Sequence, residues 1–201
     1  MAREIESLRA HFLPDPFDPV GTYADASRVQ ANARAFLVLS HAEVESFLEE
    51  WAKDIARSAE TVWKGKNRVT PPLAFLLAAL AERLAIPDVL GVHQDAPHKF
   101  RELTEKAFAK YYKQVKDNNG VREKNLLALF MPLGLPSSAV GATLLPNLDG
   151  FGSDRGTHAH HAASAVVNPL DPETEYKRVK NVLADLLDLD TWLAVYRRQI
   201  R

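Results

Sequence analysis

Cysteine is absent from the 201 residues. That removes disulfide frameworks, thiolate zinc sites, iron–sulfur clusters and cysteine nucleophiles together, and it fits a reducing cytoplasm. No uninterrupted apolar run reaches the ~18 residues that a membrane-spanning helix needs, so no membrane association is expected. The first residues, Met1 to Leu13, carry Glu4 and Glu6 and lack the apolar stretch of a secretory signal. An excess of either charge is missing as well. Lys plus Arg number 25 and Asp plus Glu 26, a formal net charge of −1, which argues against a wholesale polycationic nucleic-acid binder and leaves local basic patches open. No P-loop, G-x-G-x-x-G, H-E-x-x-H or G-x-S-x-G occurs. The sequence therefore offers no case for a nucleoside-triphosphate enzyme, a dehydrogenase, a zinc protease or a serine hydrolase.

What is present is a helical pattern. Hydrophobic residues make up 46% of the chain, enough to bury a core without metals or cross-links, and a single domain over 1–201 with its core at about 24–198 is expected. Residues 2–12 read as a short helix. Pro14, Pro16 and Pro19 then force extended or turning backbone. From about 24 to 63, Phe36, Leu37, Val44, Phe47, Leu48, Trp51 and Ile55 recur at gaps of three and four, the signature of one long amphipathic helix. Segment 73–86 is apolar nearly all round and reads as a core helix, and 98–117 as a charged amphipathic one ended by Asn118-Asn119-Gly120. A short helix over 122–131 and a long last one over about 173–198 complete the pattern. Glycine numbers nine in all, yet Gly134, Gly141, Gly150 and Gly152 crowd into 132–154 beside Pro132, Pro136 and Pro146, so irregular backbone is expected there. The reading is an all-α bundle of about six helices.

Histidine carries the most chemistry. Of seven in the chain, His158, His160 and His161 fall within four residues, just after Asp154 and Arg155. Imidazole exchanges protons near neutral pH, and guanidinium is permanently charged and shaped for phosphate oxygens. One of each supplies what phosphodiester cleavage requires: a group to move the proton of a ribose 2′-hydroxyl and a group to hold charge on the phosphate. That scheme needs no metal or cofactor, and none is expected. Two plainer readings stand beside it, a solvated helix end and a metal-ligand tract. For the second, only His158 and His161 share a helical face, because the spacing lacks the i, i+4 pair. At about 100° per residue, His160 lies about 140° round a regular helix from Arg155, and His158 about 60°. Either Arg155 precedes the helix proper, as Gly156 suggests, or the site is assembled from two chains.

The motif Arg155-Gly-Thr-His-Ala-His160 before a long last helix, together with Ala42-Glu43-Val44-Glu45-Ser46-Phe47-Leu48 on the long early helix, resembles the HEPN family, and within it the RiboL-PSP group. The likeness spans roughly 24–198. It implies a helical bundle that pairs as a homodimer, with the R-x(4–6)-H motifs of the two subunits meeting in a cleft. It further implies a metal-independent endoribonuclease that leaves a 2′,3′-cyclic phosphate, commonly a toxin with an antitoxin or neighbouring-gene partner, or a phage-defence nuclease. Carried onto this chain, Arg155 and His160 are the matching catalytic pair. Asp154, His158, His161 and Glu45 are candidate supporting residues, and RNA is the partner. Family members often place a polar residue directly after the arginine, where this chain has Gly156. Some members are catalytically inactive modules that bind RNA, a nucleotide or a protein, and that is the alternative.

Four further features are read more plainly. Residues 99–124 hold eight basic side chains against four acidic, interleaved with Tyr111 and Tyr112. The reading is a solvated helix with pairs such as Glu102–Lys106, ahead of an RNA-binding face. Lys64, Lys66 and Arg68 form a second basic cluster. Trp51, Trp63 and Trp192 are expected in the core or in dimer contacts, and His41 with Glu45 as a buried structural pair ahead of one lining a cleft.

Overall fold

The computed structural model describes residues 1–80, 96–160 and 169–201, and for residues 80, 96–98 and 154–160 it describes the backbone alone. Among the described residues there are seven α-helices and no strand: α1 (Ala2–Phe12), α2 (Ala26–Lys66), α3 (Pro71–Leu80), α4 (Ala96–Lys116), α5 (Glu123–Phe130), α6 (Leu144–His160) and α7 (Pro172–Gln199). Two short 3₁₀ turns, Met131–Leu133 and Ser137–Ala139, follow α5. No described helix is long and apolar enough to cross a membrane.

The helix ends follow from local chemistry. Asp25 accepts the backbone N–H of Arg28 at 3.0 Å, and Asp171 accepts that of Thr174 at 2.9 Å, so a carboxylate satisfies an otherwise orphaned donor at the start of α2 and of α7. Pro172 then occupies the first position of α7, where its missing N–H costs nothing. Helix α2 runs three residues beyond the expected Trp63 and stops at Asn67, whose φ of 51° is the left-handed conformation that asparagine tolerates at a helix end. Its N–H donates to the Trp63 carbonyl at 2.8 Å.

The seventh helix is the departure from expectation. The density of glycine and proline predicts irregular backbone across 132–154, and α6 occupies the second half of it. Leu144, Leu148 and Phe151 are fully buried and recur at i, i+4 and i+7, one continuous apolar face. Each buried side chain of this size contributes about 1.5–3 kcal/mol, against about 1 kcal/mol lost at each helical glycine. Burial therefore overrides propensity. Pro146 falls in the first turn, where its N–H has no helical partner to lose.

The described residues fall into two compact units. The first takes 1–47, 120–124 and 140–190. Its core comes from Ile5 of α1, Phe36, Leu37 and Val44 of α2, the α6 face, and Val179, Val182, Leu186 and Leu189 of α7. Polar clamps join these elements. Asp185 of α7 accepts from Thr143 Oγ1 at 2.7 Å and from Asn147 Nδ2 at 2.6 Å, fixing the start of α6. Glu6 of α1 accepts from Tyr176 and Lys180 of α7. Gln30 of α2 satisfies both backbone groups of Leu170.

The second unit takes 48–119, 125–139 and 191–201. Leu48, Ala52, Ile55 and Ala59 of α2, Leu73 and Leu76 of α3, Phe108, Tyr111 and Val115 of α4, and Leu126, Leu129 and Phe130 of α5 are buried. Helix α3 packs against α4 and the Met131–Leu133 turn. It is less enclosed than its sequence suggests, since Phe75 remains 52% exposed. Two tyrosines bridge to backbone carbonyls: Tyr111 Oη donates to the Leu129 carbonyl at 2.6 Å and Tyr196 Oη to that of Leu133 at 2.7 Å. Burial disfavours both phenolates, pushing the Tyr196 hydroxyl up to about 12 and that of Tyr111 upward as well.

Gly134 closes the Met131–Leu133 turn at a φ of 88°, and a Cβ there would stand 2.4 Å from the Phe75 ring. Both the left-handed backbone and the close approach require glycine. Gly134→Ala is expected to lower the unfolding free energy by about 2–5 kcal/mol, from backbone strain and overpacking together. Urea denaturation checks this, and an unchanged midpoint would contradict it.

Candidate functional site on helices α2 and α6

The first unit places a polar pair of α2 beside α6. His41 is 2% exposed, and its ring centroid lies 5.5 Å from that of Phe151, tilted by 33°. One turn along α2, Glu45 Oε2 lies 3.8 Å from His41 Nδ1. The other oxygen, Oε1, accepts the backbone N–H of Gly120. One oxygen of the carboxylate thus faces an imidazole, and the other holds the glycine of the Asn-Asn-Gly turn. On α6 the chain continues from Phe151 through Gly152 to Arg155, one helical turn further on. Gly152 is needed for packing: a Cβ there would meet Arg122 Cγ at 2.6 Å. The segment bearing Arg122 is held by Asp149 of the same helix, which accepts the N–H of Glu123 at 2.9 Å and lies 3.7 Å from Arg122 Nε.

Asp154, Arg155, His158 and His160 all lie on α6, whose last described residue is His160. Of the two arrangements open from the sequence, the first does not hold: Arg155 does not precede the helix but sits well inside it, Gly156 included. Arg155 and His160 are therefore five residues apart on continuous helical backbone, about 140° around its axis. Their side chains, and those of Asp154 and His158, lie outside the described atoms. His161 lies outside the described residues. Glu45 is the one candidate whose side-chain contacts are described. Among the described residues no group of three or more His, Asp or Glu side chains is placed to hold a metal ion.

The sequence reading of α2 carries over well here. His41 and Glu45 share a side with Leu37, Leu48 and Ala52, and all three of those apolar residues are buried. What sequence reasoning missed is the partner of the pair, because nothing in the glycine-rich segment announces that Phe151 faces it from a helix.

The basic stretch 99–124 resolves in favour of the plainer reading along much of its length. Glu102 pairs with Lys106. Tyr111 is buried with its hydroxyl on a carbonyl of its own unit. Tyr112 Oη donates to Glu60 Oε2 at 2.7 Å. Tyr111 offers no bare face for a base. No protein-family model, no curated protein and no solved structure matches the chain.

Glu45 supplies the acceptor for a part-buried backbone donor. Glu45→Ala is expected to cost about 1–2 kcal/mol of stability through loss of the hydrogen bond to the Gly120 N–H, and Glu45→Gln, which keeps a carbonyl oxygen, less than half of that. Urea midpoints of the two variants decide it. Equal losses would show that the hydrogen bond to Gly120 is not what Glu45 contributes.

Proposed function

We propose that the chain is a metal-independent endoribonuclease of the HEPN type, with Arg155 and His160 as its catalytic residues. The observation that carries this reading is the helical backbone of α6 from Leu144 to His160. It keeps an R-x(4)-H motif in one fixed frame, late in an all-helical chain and ahead of its long last helix, as the family resemblance leads one to expect. The His41–Glu45 pair supports the same frame from α2, one turn before Arg155.

In this reaction His160 accepts the proton of a ribose 2′-hydroxyl. The 2′-oxygen attacks the adjacent phosphorus, and the bond from phosphorus to the 5′-oxygen breaks. A proton returns to that leaving oxygen from an imidazolium, so one product ends in a 2′,3′-cyclic phosphate and the other in a free 5′-hydroxyl. The Arg155 guanidinium holds the phosphate oxygens as charge builds on them. The angular separation of about 140° on one helix supports a site shared between two copies of the chain, Arg155 of one serving the phosphate on which His160 of the other acts. Such a nuclease would work in the cytoplasm as a toxin or a phage-defence enzyme, restrained by an antitoxin or another neighbouring-gene partner. A second reading is a HEPN module that binds RNA, a nucleotide or a protein without cleaving. Gly156 favours it, because the polar residue that often follows the arginine is missing.

Incubation with RNA in excess EDTA tests the proposal. Cleavage by the wild type is expected to fall by about 10²–10⁴-fold in His160→Ala and by about 10²-fold or more in Arg155→Ala, with circular dichroism showing unchanged helix content. A His160→Ala protein that cleaves like wild type would overturn it, and RNA binding without cleavage would favour the second reading.

A further inference from the structure

A second feature of the molecule lies in the other compact unit, at the end of α2 and on α4. There a cavity of about 250 Å³ is lined by Trp63, Lys64, Asn67, Arg101, Glu105 and Phe108. Two basic segments that look unrelated in the sequence, Lys64–Arg68 and the start of 99–124, meet at this spot. The Phe108 ring is buried beneath it. Trp63 is half-buried, and its ring meets that of Phe100 edge-on at 5.3 Å. Trp63 therefore lines an open cavity and is not enclosed in a core.

The charge around the cavity is uneven. Lys64 is taken by Glu60 at 2.7 Å. By contrast Arg101, which lines the cavity, and Lys66, Arg68 and Lys99, close to lining residues in the chain, enter no ion pair among the described residues. An aromatic surface held edge-on by a second ring, beside the exposed Arg101, suits a flat ring attached to a phosphate. At about 250 Å³ the cavity is smaller than the roughly 300–1,000 Å³ of drug-sized sites, so it admits one base while the backbone stays outside. Asn67 and Glu105, both exposed at its rim, offer a donor and acceptors to a base edge.

We propose that this cavity is a binding subsite for one nucleotide of single-stranded RNA. The base stacks on Trp63, and Arg101, with Lys66 and Arg68 along the chain from Lys64, takes the flanking phosphates. This rests on the reading of the chain as an RNA-acting protein, and it adds a grip on the strand in the unit that does not hold the Arg155–His160 motif.

The test is fluorescence anisotropy with a labelled, unstructured RNA of about 12 nucleotides, within the span of known single-strand sites. All proteins carry His160→Ala so that the RNA stays intact. Trp63→Ala is expected to weaken binding about tenfold, Trp63→Phe by less than about threefold because a stacking ring is kept. Arg101→Glu, at an exposed position, is expected to weaken binding and to flatten its dependence on salt by about 0.7 in the log–log slope. Helix content by circular dichroism guards the tryptophan variant, and Arg101→Glu stands independently of it. Pocket variants that bind like their parent, or a parent that binds no RNA, would overturn the subsite. So would polyglutamate displacing the RNA as readily as unlabelled RNA does, which would point to acidic peptides. The two proposals fail separately. Loss of binding in the pocket variants of a protein that never cleaves RNA leaves the subsite standing and removes the nuclease. Cleavage with unaffected binding does the reverse.

Discussion

The burial of one face of α6 is the constraint on which the candidate site depends. Leu144, Leu148 and Phe151 are fully enclosed, and helical backbone puts all three on one face. Asp185 fixes where the helix begins by taking hydrogen bonds from both Thr143 and Asn147. Asp149 ties the helix to the 120–124 segment, and Gly152 lets that segment come close. Three glycines along α6 act against helix, and the buried face outweighs them. Because α6 stays helical to His160, the Arg155–His160 motif sits on helical backbone instead of a loop.

That frame has consequences for chemistry. A general acid–base group works only when it is held within hydrogen-bonding reach of the atom it serves, and loops hold residues less firmly than helices packed on a core. The His41–Glu45 pair shows how the neighbouring helix is stiffened at the same level. One oxygen of Glu45 faces the imidazole and the other accepts the Gly120 N–H, so a polar group of α2 holds Gly120 after α4. The second unit uses the same device with phenols, Tyr111 donating to a carbonyl of α5 and Tyr196 to one in the turn after it.

Much of this was legible in the sequence, and the failures have physical causes. Helices α1, α2, α4, α5 and α7 follow from three- and four-residue apolar spacing and from turn signals such as Asn118-Asn119-Gly120. The bounds of α2 shifted because Asn67 could end it where a propensity reading stops earlier. Helix α6 was not legible: local propensity there points away from helix, and only its burial reverses the outcome. The Arg155-His160 motif could be picked out from residue chemistry alone, whereas its placement inside a helix could not. Glu45 was legible as a partner of His41 through i, i+4 spacing, but its bond to Gly120, 75 residues away, has no local signal. The Trp63 cavity was hidden for the same reason, its two basic arms being separated in the chain by α3 and the segment after it.

Mixing two inactive proteins tests the central claim most directly. Arg155→Ala and His160→Ala subunits are unfolded together, refolded together and assayed for RNA cleavage in EDTA beside each variant refolded alone. If Arg155 of one copy works with His160 of another, each mixed pair regains one intact site, and cleavage returns only in the mixture. A mixture that stays as inactive as its components, while refolded wild type cleaves, would contradict a site shared across two α6 helices.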